Sequence, residues 1–223
     1  MTGERWEMRV GAMVICPGYW SPPRLVADMA ALVRREDDGA LKTWMSMTPM
    51  EIESQELGCR FAVGDTVVMG LGMGWAAANA ALRPEVTRVT VVEKDPEIRD
   101  IVSRLGIFAQ LPAEAAAKIG VVPGDAYDYR TERPADTVLA DIWRPLFGAD
   151  RDAEVRRMVA NCGGSRVYFW GQEMVIADRA RKAGRPIQAG IVAEIIDEMA
   201  LPLIGPALPD YPDLIARAAA RWL

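Results

Sequence analysis

Three glycines at alternate positions, Gly70, Gly72 and Gly74, follow the apolar run Thr66-Val67-Val68-Met69 and precede a stretch of helical patterning. A strand that turns into a helix through residues without side chains lets a ligand approach the backbone and the first helical turn. The dinucleotide fingerprint asks for glycine at the sixth position of such a loop. That position is Trp75 here, so the spacing is Gly-x-Gly-x-Gly and the NAD reading is weakened. About 20 residues past the loop, Thr90-Val91-Val92 ends in Glu93, where a carboxylate can accept both hydroxyls of a ribose. Each such charge-assisted bond contributes roughly 1.5–3 kcal/mol. A solvated strand-end acid is the alternative, and the distance from the loop favours the ribose. A third run, 119–122, leads into Pro123-Gly124-Asp125-Ala126. Asp125 can accept a hydrogen bond from an adenine amino group while the neighbouring backbone N–H of Ala126 reads a ring nitrogen. Asp95, followed by Pro96 and Glu97, reads instead as a helix N-cap.

These groups need a scaffold that brings strand ends together. From Asp65 onward, strands and helices alternate: strands near 66–69, 88–92, 119–122, 137–140 and 167–170, helices near 75–82, 96–104, 152–161 and 173–183. Alternation of this kind predicts an α/β fold, a Rossmann-like parallel sheet with helices on both faces. Its ligand edge is the carboxyl end of the strands. Residues 61–223 are expected to form this domain and to finish in helices at 191–199 and 214–222. Residues 1–60 read as a small α+β preamble or lid. In it, Met13-Val14-Ile15-Cys16 reads as a strand, Ser21 as the cap of a helix carrying Leu25, Val26, Met29, Ala30, Leu32 and Val33, and 40–47 as another strand. Thr48-Pro49-Met50-Glu51 reads as a capping box opening a short helix that Gly58 ends.

Composition narrows the chemistry. The chain has 223 residues, 51% hydrophobic and 26% charged, with a net charge of −5 and no histidine. The absence of histidine removes histidine bases, triads and metal ligands together. No metal is expected. The negative balance argues against nucleic acid as a partner. No apolar run reaches the ~20 residues that a membrane span needs. Three cysteines without paired spacing fit a cytoplasmic protein.

Gly70-x-Gly72-x-Gly74, Glu93, Gly124-Asp125 and Asp141 together resemble the motif series of class I S-adenosylmethionine-dependent methyltransferases, over roughly residues 60–175. Within that superfamily, Val92-Glu93-Lys94-Asp95-Pro96 and Gly124-Asp125-Ala126-Tyr127 resemble the spermidine synthase-like branch. The resemblance implies S-adenosylmethionine as cofactor, held by Gly70, Gly72, Gly74, Glu93, Asp125, Ala126 and Asp141. It also implies Asp141 as the catalytic group at the donor–acceptor junction, with Tyr127, Tyr129 and Glu173 as weaker alternatives. Two departures stand out: the loop holds Leu71 and Met73 and no acid, and the fourth-strand motif reads Asp141-Ile142-Trp143-Arg144-Pro145. Arginine beside a polyamine ammonium would repel it, so a neutral or anionic small-molecule acceptor is expected. Trp75 and Trp143 could form an aromatic wall, and Trp20 and Trp44 a lid. The implied activity is methyl transfer. Transfer or cyclisation of the aminobutanoyl or aminopropyl chain, releasing methylthioadenosine, and a non-catalytic binding protein are the alternatives. The superfamily's last two strands have no clear counterpart after Trp170, and the apolar C-terminal helices could pack against a second copy.

Overall fold

The computed structural model describes residues 2–223. Its N-terminal strands β1 (Trp6–Cys16), β2 (Arg24–Arg35) and β3 (Leu41–Ser46) form an antiparallel sheet in that order. The helix expected after Ser21 is therefore a strand. Residues 25–33 are apolar at nearly every position, so they fit a helical period without requiring it. The partner strand decides, with β1 pairing from Cys16↔Arg24 to Trp6↔Arg34. Ser21 caps nothing; its hydroxyl bonds the Glu53 carboxylate. Half of the expected capping box forms: Thr48 Oγ1 accepts the Glu51 N–H at the start of α1 (Pro49–Arg60), while the Glu51 carboxylate bonds the Ser46 backbone instead of returning to Thr48. Helix α1 runs through Gly58 rather than stopping there. Gly58 lies against Tyr168, whose ring a Cβ would meet at 2.8 Å, so the glycine serves close packing.

The rest of the chain follows the alternating pattern: β4 (Gly64–Met69), α2 (Trp75–Ala81), β5 (Val86–Glu93), α3 (Pro96–Leu105), a 3-10 turn Phe108–Gln110, α4 (Ala113–Ala116), β6 (Ile119–Pro123), β7 (Thr137–Ala140), α5 (Arg151–Cys162), β8 (Val167–Phe169) and α6 (Gln172–Lys182). The sheet order is β6-β5-β4-β7-β8, all parallel, with helices on both faces. Val67, Val68, Val89, Val91, Val138 and Phe169 are buried, as a parallel sheet covered on both faces requires. Order reverses at β4, whose neighbours β5 and β7 diverge to opposite sides and leave a crevice at their carboxyl ends.

Beyond β8 the sheet gains one parallel bridge, Val167 to Leu203, and the chain otherwise folds as α7 (Ala189–Met199) and α8 (Tyr211–Trp222). Pro202, Pro206 and Pro209 bracket that bridge and cannot donate to a ladder. A buried knot holds this end to the rest. Glu173 on α6 accepts hydrogen bonds from the hydroxyls of Tyr19 (3.2 Å), Tyr168 (3.1 Å) and Tyr211 (3.2 Å). These come from the β1–β2 connection, β8 and α8. No helix among the described residues is long and apolar enough to cross a membrane.

Candidate functional site

The crevice holds a cavity of about 570 Å3, and its floor is built from strand ends. Gly70, Gly72 and Gly74 have φ of 96°, 50° and 82°, the region open mainly to glycine. A Cβ at Gly70 would strike the Asp141 carbonyl, and one at Gly72 the Met45 sulfur. The Glu93 carboxylate braces the loop, its two oxygens accepting the N–H of Leu71 at 3.0 Å and of Asp95 at 2.8 Å. Asp125 accepts the Tyr127 N–H at 3.0 Å and faces Lys94 at 3.5 Å. The Ala126 N–H has no hydrogen-bond partner among the described residues. Gly70, Gly72, Glu93, Asp125, Ala126 and Asp141 all line the cavity. Gly74 stands behind the loop, against Phe108, as the left-handed N-cap of α2.

Asp95 is the N-cap of α3, accepting the Glu97 N–H at 2.9 Å, and it also accepts the Trp6 indole N–H at 2.7 Å. That second bond ties β1 to the end of β5 and brings the N-terminal sheet over the crevice. Trp6, Arg34, Trp44 and Met45 line the cavity from above. The Arg34 guanidinium lies 5.7 Å from the Trp6 ring centre and 5.6 Å from that of Trp44, with its Nε buried and unpartnered.

Helix α1 contributes Glu51, Gln55 and Cys59, one per turn on the face toward the cavity. Sequence reasoning missed this stripe because Glu51 was assigned to the capping box. Polar groups at i, i+4 and i+8 were the available signal. Glu51 and Asp141 are the acids of this side. Burial pushes the Asp141 carboxyl up to about 7, with Arg151 pulling it back. Burial, then the Asp141 charge, pushes Glu51 up to about 8, opposed by a hydrogen bond from the Ser46 backbone. The Cys59 thiol is pushed up to about 12 by the same burial, so it is no nucleophile near neutral pH. Asp141 makes no side-chain hydrogen bond among the described residues.

The remaining candidates divide cleanly. Trp75, Trp143, Trp44 and Tyr127 line the cavity; Trp20, Tyr129 and Glu173 do not. Trp143 donates to the Tyr127 hydroxyl at 3.1 Å, and Arg151 stacks on its ring at 3.9 Å. Arg144, expected beside the acceptor, lies outside the cavity lining and pairs with Glu36 of the N-terminal segment at 3.1 Å. Tyr168 and Trp170 at the end of β8 complete the wall.

No protein-family model and no curated protein matches the chain. Among solved structures, it is similar to the glycopeptide N-methyltransferase MtfA complexed with S-adenosylmethionine, at 20% identity over 49% of this chain and 48% of that one, TM-score 0.38. It is similar to DhpI complexed with SAH at 19% identity over 52% of each chain, TM-score 0.37. The methyltransferase domain of bacterial CtHen1-C is 12% identical over 48% of this chain and 57% of that one, TM-score 0.36. The similarity therefore spans about half the length of each of these chains.

Proposed function

We propose that the cavity binds S-adenosylmethionine and that the chain is a transferase, passing the cofactor's methyl group to a small-molecule acceptor. One observation carries this reading: Gly70 and Gly72 of the glycine loop, Glu93, Asp125, Ala126 and Asp141 line a single cavity at the carboxyl edge of a parallel sheet. A cavity of about 570 Å3 suits a ligand of this size. Glu93 keeps lone pairs free for a ribose diol while its bonds to Leu71 and Asp95 hold it in place. Asp125 and the free Ala126 N–H suit an adenine edge. The glycine loop leaves backbone exposed for the amino-acid end of the cofactor.

When bound, S-adenosylmethionine supplies an activated methyl on a sulfonium, and alignment is then the main task of the protein. Asp141 and Glu51 flank that position as the groups able to take a proton from an acceptor. Trp75 and Trp143 exclude water and offer aromatic faces to positive charge. The N-terminal segment through Arg60 serves as the cover over residues 61–223. The three free, buried cysteines suit a cytoplasmic setting.

Calorimetric titration with S-adenosylmethionine, S-adenosylhomocysteine and NAD, in separate runs, tests the reading. Micromolar binding of both sulfur compounds with NAD silent is the expected result. A folded protein that binds neither sulfur compound overturns it. The co-product identifies the carbon transferred: S-adenosylhomocysteine for methyl, methylthioadenosine for the longer chain.

A further inference from the structure

The acceptor side of the cavity carries two carboxylates and no lining cation. Glu51 on α1 and Asp141 directly after β7 both line this one cavity, and the Asp141 charge adds to the burial that raises Glu51. Asp141 is partly buried at the cavity wall, and its side chain makes no hydrogen bond among the described residues. The guanidinium of Arg151, whose charge acts on Asp141, is not part of the lining; it lies on Trp143 and donates to the Pro145 carbonyl at 3.1 Å. With Arg144 paired to Glu36, the charge that spoke for a neutral or anionic acceptor is absent from the cavity. Trp75, Trp143, Tyr168 and Trp170 supply the walls. Aromatic faces around two carboxyls with no cation on their side of the lining favour a cation, whose charge stabilises their ionised form, over an alcohol of the same shape, and disfavour an anion.

The opposite end differs. Arg34 and Arg5 line the cavity beside Trp6, which is tied to the end of β5. β5 and β7 lie on either side of β4, so these ends are two strand spacings apart, roughly 10 Å. Glu93, Asp95 and Asp125 also line that end, but their oxygens already accept from backbone N–H groups and the Trp6 indole or face Lys94. A second ammonium reaching that way would meet guanidinium groups beside acids that are already bonded.

We propose that the acceptor is a monoamine, bound as its ammonium by Glu51 and Asp141 and shielded by the surrounding aromatic rings. This rests on the transferase reading above. One ammonium proton passes to the Glu51–Asp141 pair, and the freed nitrogen lone pair forms the N–CH3 bond. The C–S bond breaks with its electron pair left on sulfur, giving a methylated ammonium and S-adenosylhomocysteine. Glu51 is thereby a proton acceptor for the reaction alongside Asp141.

The test uses the full chain saturated with S-adenosylhomocysteine. Hexylamine, phenethylamine, their matching alcohols and 1,6-diaminohexane are titrated calorimetrically against the wild type and Glu51→Gln. Each monoamine is expected to bind at least 10-fold tighter than its alcohol and tighter than the diamine. Glu51→Gln should erase that preference while its affinity for S-adenosylhomocysteine stays within about 3-fold, which also shows that the variant is folded. Equal or tighter binding of the alcohols or the diamine overturns the proposal. So does silence from both monoamines, or an unchanged preference in Glu51→Gln. If that variant does not fold, the wild-type comparison decides alone. Failure to bind S-adenosylhomocysteine at all counts against the transferase reading instead, so the two failures are distinguishable.

Discussion

Asp141, partly buried at the cavity, and Glu173, fully buried, are two carboxyls pushed to about the same value, near 7, chiefly by desolvation. Their surroundings are opposite. Glu173 is closed off from solvent and receives three tyrosine hydroxyls, one from neighbouring β8 and two from remote parts of the chain. Asp141 receives none and faces a cavity with a second acid opposite. A raised pKa thus marks burial in both cases and a site in only one. What separates them is whether the protein completes the hydrogen bonding itself or leaves it for a ligand. Satisfied, the group locks the fold; unsatisfied, it stores an interaction for the molecule that enters.

Substitution should pull the two apart. Glu173→Ala strands the hydroxyls of Tyr19, Tyr168 and Tyr211 in the interior, and a loss of about 3–5 kcal/mol in urea unfolding is expected. Asp141→Asn should leave stability unchanged or raise it. A Glu173→Ala protein as stable as the wild type would remove the distinction. Next in size, Glu93→Ala should weaken S-adenosylmethionine binding by about 2–4 kcal/mol, roughly 30- to 1000-fold by calorimetry. Unchanged affinity in that folded variant would detach the ribose from Glu93.

The pH response sharpens the comparison further. Glu51, Asp141 and Glu173 all sit above their unfolded-state values, so their neutral forms favour the folded state. That contribution is full below about pH 4 and is lost as pH rises through about 7 and 8. Denaturation midpoints should show the double variant Glu51→Gln/Asp141→Asn gaining on the wild type between pH 5 and 8. Because cavity water reaches both groups, the gain is on the order of 1–3 kcal/mol. The residual slope then belongs to Glu173. A slope untouched by the double variant would mean that the cavity acids are ordinary. Smallest is Arg144→Ala, which breaks an exposed pair with Glu36 and should cost at most about 0.5–1 kcal/mol, with cofactor affinity unchanged. A large loss of affinity there would return Arg144 to the site.

How far this was legible in the sequence differs from one side of the cavity to the other. The floor could be read because backbone makes it: glycines where φ must be positive, a strand-end acid at a set distance, and a Gly-Asp turn are local and ordered along the chain. The cover could not. β2 is apolar at nearly every position, so its residues suited a helix until β1 paired with it across ten residue pairs. Glu51 satisfied a capping rule, which concealed that the same carboxylate faces Asp141, ninety positions away in sequence. Glu173 was a candidate base until Tyr168 and two tyrosines from distant positions, Tyr19 and Tyr211, enclosed it.

The sequence alone was enough for the parallel alternating sheet, the glycine loop and the line of acids at its edge, because those features depend on local periodicity, turn chemistry and spacing. Only the tertiary structure decided which buried acids are satisfied, where Arg144 points and what covers the crevice. Hydrogen bonding and desolvation depend on every group within a few ångströms, and most of those neighbours come from remote parts of the chain.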